Sequence, residues 1–192
     1  IHDRLLRQGV TIRECEDWRQ YKKIIPALEA YPNAFIVTVD DDHIYPSSLL
    51  RRLVEEYSSP KEILARAARH IKWPLPYKQW SSVVQPTGGK NIFGLGFAGA
   101  LYPPNSMPPE TLDAEKFMRL APTNDDIWLY WMVHKGGCVH RAIGDYESPQ
   151  PLPTSRDGLW SLVNGPGGND RQISAMIEAY GMPWAEVKEN VK

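Results

Sequence analysis

The segment 34–50, AFIVTVDDDHIYPSSLL, decides how the chain is read. Ala34 to Val39 is a short apolar run rich in β-branched residues, the pattern of a strand covered on both faces. Asp40, Asp41 and Asp42 then end it with charge. Two unit charges about 4 Å apart repel by roughly 1 kcal/mol in bulk water and about 4 kcal/mol at an effective dielectric of 20, so three adjacent carboxylates call for compensation. Side chains alternate along a strand, which sends Asp40 and Asp42 to one side and Asp41 to the other. A D-x-D pair at the carboxyl end of a strand sits where open α/β sheets bind ligands, and its hard oxygens suit Mg²⁺ or Mn²⁺ held together with phosphates. An EF-hand is excluded: counted from Asp40, the sixth position is Tyr45 rather than Gly and the twelfth is Arg51 rather than Glu. The plain alternative is a solvated turn, for which one Asp or Asn with glycine would serve.

Working outward, Pro46, Ser47 and Ser48 open a helix whose apolar positions Leu49, Leu50, Leu53, Val54 and Tyr57 follow the 3.6 period. Upstream, IHDRLLRQG reads as the tail of a helix capped by Gly9, VTIREC (Val10 to Cys15) alternates as a strand does, and Trp18 to Tyr31 carries helical spacing despite Pro26. Downstream, EILARAARHIKW fits strand or helix. Pro74 to Pro109 is rich in Pro, Gly and aromatics and reads as loop with short strands. TNDDIWLYWMVHKGG is a helix with Thr123 or Asn124 in front, Asp125 and Asp126 in its first turn and Gly136 behind; CVHRAI reads as the next strand. Pro149 to Gly168 is loop-like, and NDRQISAMIEAYG is a last amphipathic helix. Strands alternate with helices, without repeats, as in an α/β domain; 192 residues suit one.

A net charge of −1 makes no case for nucleic acid or an anionic membrane as main partner. Cys15 and Cys138 are too few and ill-spaced for a disulfide framework or a zinc site, so the reading is a reducing cytoplasm. No stretch approaches the length of a membrane span.

The strand ending VTVDDDHIYP, the Gly-rich GFAGALYPP, and APTNDDIWLYWMVHKGG followed by the NDRQI helix together resemble the GT-A-fold glycosyltransferases, close to the family 2 type and its bacterial polysaccharide relatives. The likeness runs from about Gly9 to Tyr180. It implies a mixed sheet flanked by helices, a nucleotide-sugar donor, Mn²⁺ or Mg²⁺, and an acceptor saccharide, free or lipid-linked, the latter allowing peripheral membrane association. Carried over by position, Asp42 matches the direct metal ligand, and Asp40 lies nearer the ribose or the metal's waters. Asp41 belongs with the donor site. Asp126 is the base that takes the acceptor's proton, with Asp125 before it where the family more often has Glu. Gly99 stands in the small-residue loop beside the sugar, and His140 is a candidate third metal ligand with a structural histidine as its alternative. Lys22 and Lys23 are candidates for the diphosphate against the plain reading of a solvated helix face; Trp128 and Trp131, near the base by helical spacing, are core by default. The family begins with a strand–helix–strand unit for the nucleotide base, whereas about one strand and one helix precede Ala34, so the chain reads as a domain lacking that unit, with weak, base-indifferent nucleotide binding and an exposed sheet edge. Two rival readings stand beside the transferase: a metal-dependent nucleotidyltransferase and a catalytically silent domain that binds a sugar or a partner.

Overall fold

The computed structural model describes residues 2–144, 149–153 and 160–185. In chain order the elements are α1 (His2–Arg7), a 3₁₀ turn (Arg19–Lys23), α2 (Ile25–Ala30), β1 (Ile36–Thr38), β2 (His43–Ile44), α3 (Leu49–Glu56), β3 (Glu62–His70), β4 (Thr87–Gly89), β5 (Ile92–Tyr102), α4 (Ala114–Leu120), α5 (Asp125–Lys135), β6 (Val139–Ala142), β7 (Gln150–Pro151) and α6 (Asn169–Tyr180). Five strands form a mixed sheet in the order β1-β5-β3-β6-β4, parallel only between β3 and β6, while β2 and β7 pair separately.

Both faces of this sheet are covered. Alternation along β3 sends Leu64 to one side, where it packs with Leu49 and Leu53 of α3, and Ile63 to the other, where the larger core lies. That larger core is built on α5, whose residues Ile127 to Val133 are all buried, with Tyr21, Phe93, Phe117 and Ile173 among its neighbours. A helix apolar all round has no solvent face, and α5 accordingly lies between the sheet and α4 and α6. Trp128 and Trp131 are part of this core: Trp128 donates its indole N–H to Thr111 O and Trp131 to Gly181 O.

Several expectations are corrected. β1 pairs with β5 alone among the described residues, so the strand before the aspartates is an edge strand of three residues rather than a fully covered central one; Ile36 and Thr38 are buried, but Phe35 and Val39 are half exposed. Residues 10–15 form no strand: among the described residues no strand pairs with them, and Val10 and Ile12 lie exposed. Trp18 to Tyr31 is broken at Ile24 into a 3₁₀ turn and α2, with Pro26 in the first turn where its missing N–H costs nothing. On α3 only Leu49 and Leu53 are buried, while Leu50 and Val54 face out. The ambiguous segment after Lys61 is the strand β3, and the supposed loop 74–109 contains the longest strand, β5.

The central irregularity is in β5. Ala65 pairs with Ala100 and Ala67 with Leu95, so β5 takes five steps where β3 takes two, and the extra residues of Gly96–Gly99 bulge from the ladder. Bulges re-aim backbone and side chains and collect beside sites.

Candidate functional site: an acidic cleft at the end of β1

The bulge faces the turn that follows β1. Tyr45 ties the two together, its hydroxyl donating to Phe97 O at 2.6 Å and accepting from the Asp40 N–H at 2.8 Å. From the other side the Leu152 N–H donates to Asp42 O at 2.7 Å, next to the β2–β7 pair. The aspartate turn is thus held on two sides, and it forms one wall of a cleft of about 850 Å³ whose opposite wall is the N-terminus of α5.

Asp40 and Asp42 converge, though through the turn that follows β1 rather than through strand alternation, since the strand ends at Thr38. With His43 they offer three possible ligand atoms within 4.8 Å of one another, a set of two carboxylates and one imidazole that could hold a metal ion. His43 Nδ1 lies 2.5 Å from Asp42 Oδ1. Asp41 is exposed at the rim of the cleft.

Asn124 caps α5, its side-chain oxygen accepting from the Ile127 N–H, and Asp125 and Asp126 occupy the first turn. Asp126 Oδ1 accepts from the Gly96 N–H at 2.9 Å, which leaves its second oxygen free of that bond. A Cβ on Gly96 would stand 2.9 Å from the same Oδ1, so only glycine lets the bulge approach this closely. Burial, then the charge of Asp125, pushes the Asp126 carboxyl up to about 7, against the opposing pull of Lys23 and the Gly96 N–H. Asp125 is raised too, chiefly by burial.

Lys23 answers the question that the three aspartates pose. Its ammonium sits 2.8 Å from Asp40 Oδ1 and 3.3 Å from Asp125 Oδ2, joining the two acidic walls. The surrounding carboxylates Asp125, Asp126 and Asp40 hold it well above the ordinary lysine range despite its burial. The 3₁₀ turn is what aims it inward, while Lys22, the candidate for the diphosphate, lies at the rim, largely exposed and paired with Asp17 at 2.8 Å.

Two expected site residues fall elsewhere. His140, the candidate third metal ligand, is buried in β6 with its ring stacked on Tyr130 and packed beside Gly94; burial and neighbouring His134 drive its imidazole down to about 3, so it is a neutral core residue away from the cleft. The imidazole beside the aspartates is that of His43, one residue after Asp42. Gly99, expected beside the donor sugar, has φ +103° and packs under Leu49 of α3, where a Cβ would stand 2.6 Å from Leu49 Cδ1. The glycine of this stretch that closes on the cleft is Gly96, against Asp126. In the sequence Lys23 is no more than one of two candidates for the diphosphate, and Tyr45, His43 and Gly96 carry no signal beyond their adjacency to the motifs.

Comparison with protein-family models, with curated proteins and with solved structures returned no match.

Proposed function

We propose that the cleft transfers a sugar from a nucleotide-diphosphosugar to an acceptor hydroxyl with inversion, using a divalent cation. The observation that carries this reading is the facing of two acidic groups of different character across one cleft: a convergent Asp40–Asp42–His43 ligand set on one wall and a partly buried acid, Asp126, beside the buried Asp125 at a helix N-terminus on the other. The first set would hold Mn²⁺ or Mg²⁺, which as a Lewis acid would offset the charge gathering on the departing nucleoside diphosphate.

The protein's own groups supply the rest. Asp126, anchored by the Gly96 N–H, presents its other oxygen to the acceptor hydroxyl and takes its proton as that oxygen bonds to the anomeric carbon. The bond from the anomeric carbon to the diphosphate oxygen breaks in the same displacement, and one displacement inverts the centre. A carboxyl raised to about 7 is a stronger base than an exposed aspartate. Lys23 bridges the Asp40 and Asp125 walls and contributes a partly buried positive charge between them.

The test is release of nucleoside diphosphate from a panel of nucleotide sugars with Mn²⁺ and an acceptor mixture. Metal-dependent release that Asp126→Asn lowers by about 100-fold supports the reading. Release of pyrophosphate from nucleoside triphosphates with sugar phosphates would instead identify a nucleotidyltransferase, and binding without turnover a silent domain.

A further inference from the structure

Arg69, on β3, closes the end of the cleft opposite the cation-binding wall. Its position follows from register. Gly96 holds Asp126, and Leu95 and Phe93 before it pair with Ala67 and Arg69, so the Arg69 backbone stands about two residues of strand, roughly 7 Å, beyond Leu95, on the side away from Phe97 and the Tyr45 hydroxyl bound to it. Its immediate partners are uncharged, the Tyr77 side chain and the Trp80 carbonyl. One Nη donates to Trp80 O at 2.8 Å and the guanidinium carbon stands 5.1 Å over the Tyr77 ring. Nε is buried without a partner, and among the described residues no carboxylate lies within ion-pair distance.

A partly buried cation without an anion is costly, and a guanidinium fork matches carboxylate and phosphate by two parallel hydrogen bonds. The arginine is also held ready: Tyr77 N donates to Asp170 Oδ1 at 2.7 Å and the Trp80 indole to Leu75 O at 3.1 Å, fixing both of its neighbours. We propose that the Arg69 end of the cleft is an acceptor subsite for an oxyanion, so that the acceptor is an acidic sugar bearing a carboxylate or a phosphate about one ring away from the hydroxyl presented to Asp126. The word acceptor rests on the transferase reading; the oxyanion site rests on Arg69 alone.

The experiment follows the indole N–H resonance of Trp80 in the full chain in the presence of EDTA, titrating glucuronate, glucose 1-phosphate and neutral methyl glucoside. Either or both acids should bind at least tenfold more tightly than the neutral sugar, and which of them does so tells carboxylate from phosphate. Arg69→Gln should remove that preference, and Arg69→Lys, which keeps the charge and loses the fork, should weaken acid binding several-fold. Equal affinity for acidic and neutral sugars, or acid binding unchanged in Arg69→Lys, overturns the proposal, and this holds even where Arg69→Gln does not fold. A parallel titration with Mn²⁺ and uridine diphosphate separates the two readings. Nucleotide binding without acid binding removes the subsite and leaves the transferase, while acid binding without nucleotide binding keeps the subsite and removes the transferase.

Discussion

Lys23 stands where two carboxylates need a counter-charge, and its removal tests that role directly. Lys23→Met leaves Asp40 and Asp125 facing each other without compensation, and breaking a pair this enclosed should destabilise the fold by about 3 kcal/mol. Mn²⁺, which neutralises Asp40 by another route, should restore part of the loss; thermal melts of both proteins with and without the ion measure it, and a variant indifferent to Mn²⁺ would separate Asp40 from the cation site. Asp126 gives a second residue-level prediction. Its folded carboxyl titrates near 7 against 3.8 for a free one, so between those values the folded state holds a proton that the unfolded state has lost. Stability contributed by that proton is present below about 4 and falls as pH rises through 7. Carbon-detected titration of the side-chain carboxyl should show the raised midpoint in the metal-free protein and a lower one once Mg²⁺ adds positive charge beside it. If His43 completes the proposed cation site, an imidazole among carboxylates favours Mn²⁺ over Mg²⁺, so calorimetry should show that preference, and His43→Ala should shrink it.

At the scale of elements, the two glycines of the β5 bulge do different work, and alanine tells them apart. Gly96→Ala places a methyl 2.9 Å from Asp126 Oδ1 without changing the backbone region, so it should displace the base and cut turnover by at least tenfold while leaving Mn²⁺ affinity in place. Gly99→Ala combines φ +103° with a clash against Leu49, and its effect should appear in thermal stability, about 1–3 kcal/mol, ahead of any effect on turnover. The sequence displays α5 because its caps, acidic first turn and terminal glycine are local; α6 is legible from Asp170 in its first turn and Gly181 behind it, without a side-chain cap in front. β5 is not, because glycine is a poor strand former by propensity, and Ile92–Tyr102 is a strand only through its pairing with both β1 and β3. Residues 10–15 fail in the opposite way: they alternate correctly, and alternation without a partner makes no strand.

Over the whole molecule the division is similar. Asp40, Asp42, Asp125 and Asp126 were legible because each pair announces itself by spacing or by a helix start, whereas Lys23, Gly96 and Arg69 become site residues only when the 3₁₀ turn, the bulge and the far end of β3 are brought to one cleft. Such a cleft concentrates like charge, and the fold should be less stable for it. Asp126→Asn keeps an oxygen for the Gly96 N–H and removes a buried charge beside Asp125, so it should raise stability by about 1 kcal/mol, or roughly 2–4 °C in a domain of this size, as turnover is lost. The gain should be present at pH 8, where the wild-type carboxyl is ionised, and vanish at pH 5, where it is protonated. Mn²⁺ at about 100 times each protein's own dissociation constant should add about 2.7 kcal/mol to wild type and to Asp126→Asn, and nothing to Asp42→Ala, because the proposed cation ligands are on the other wall. A melting point that Asp126→Asn lowers at pH 8 would mean that the ionised carboxylate holds the N-terminus of α5 in place, and the base would then have to be sought in Asp125.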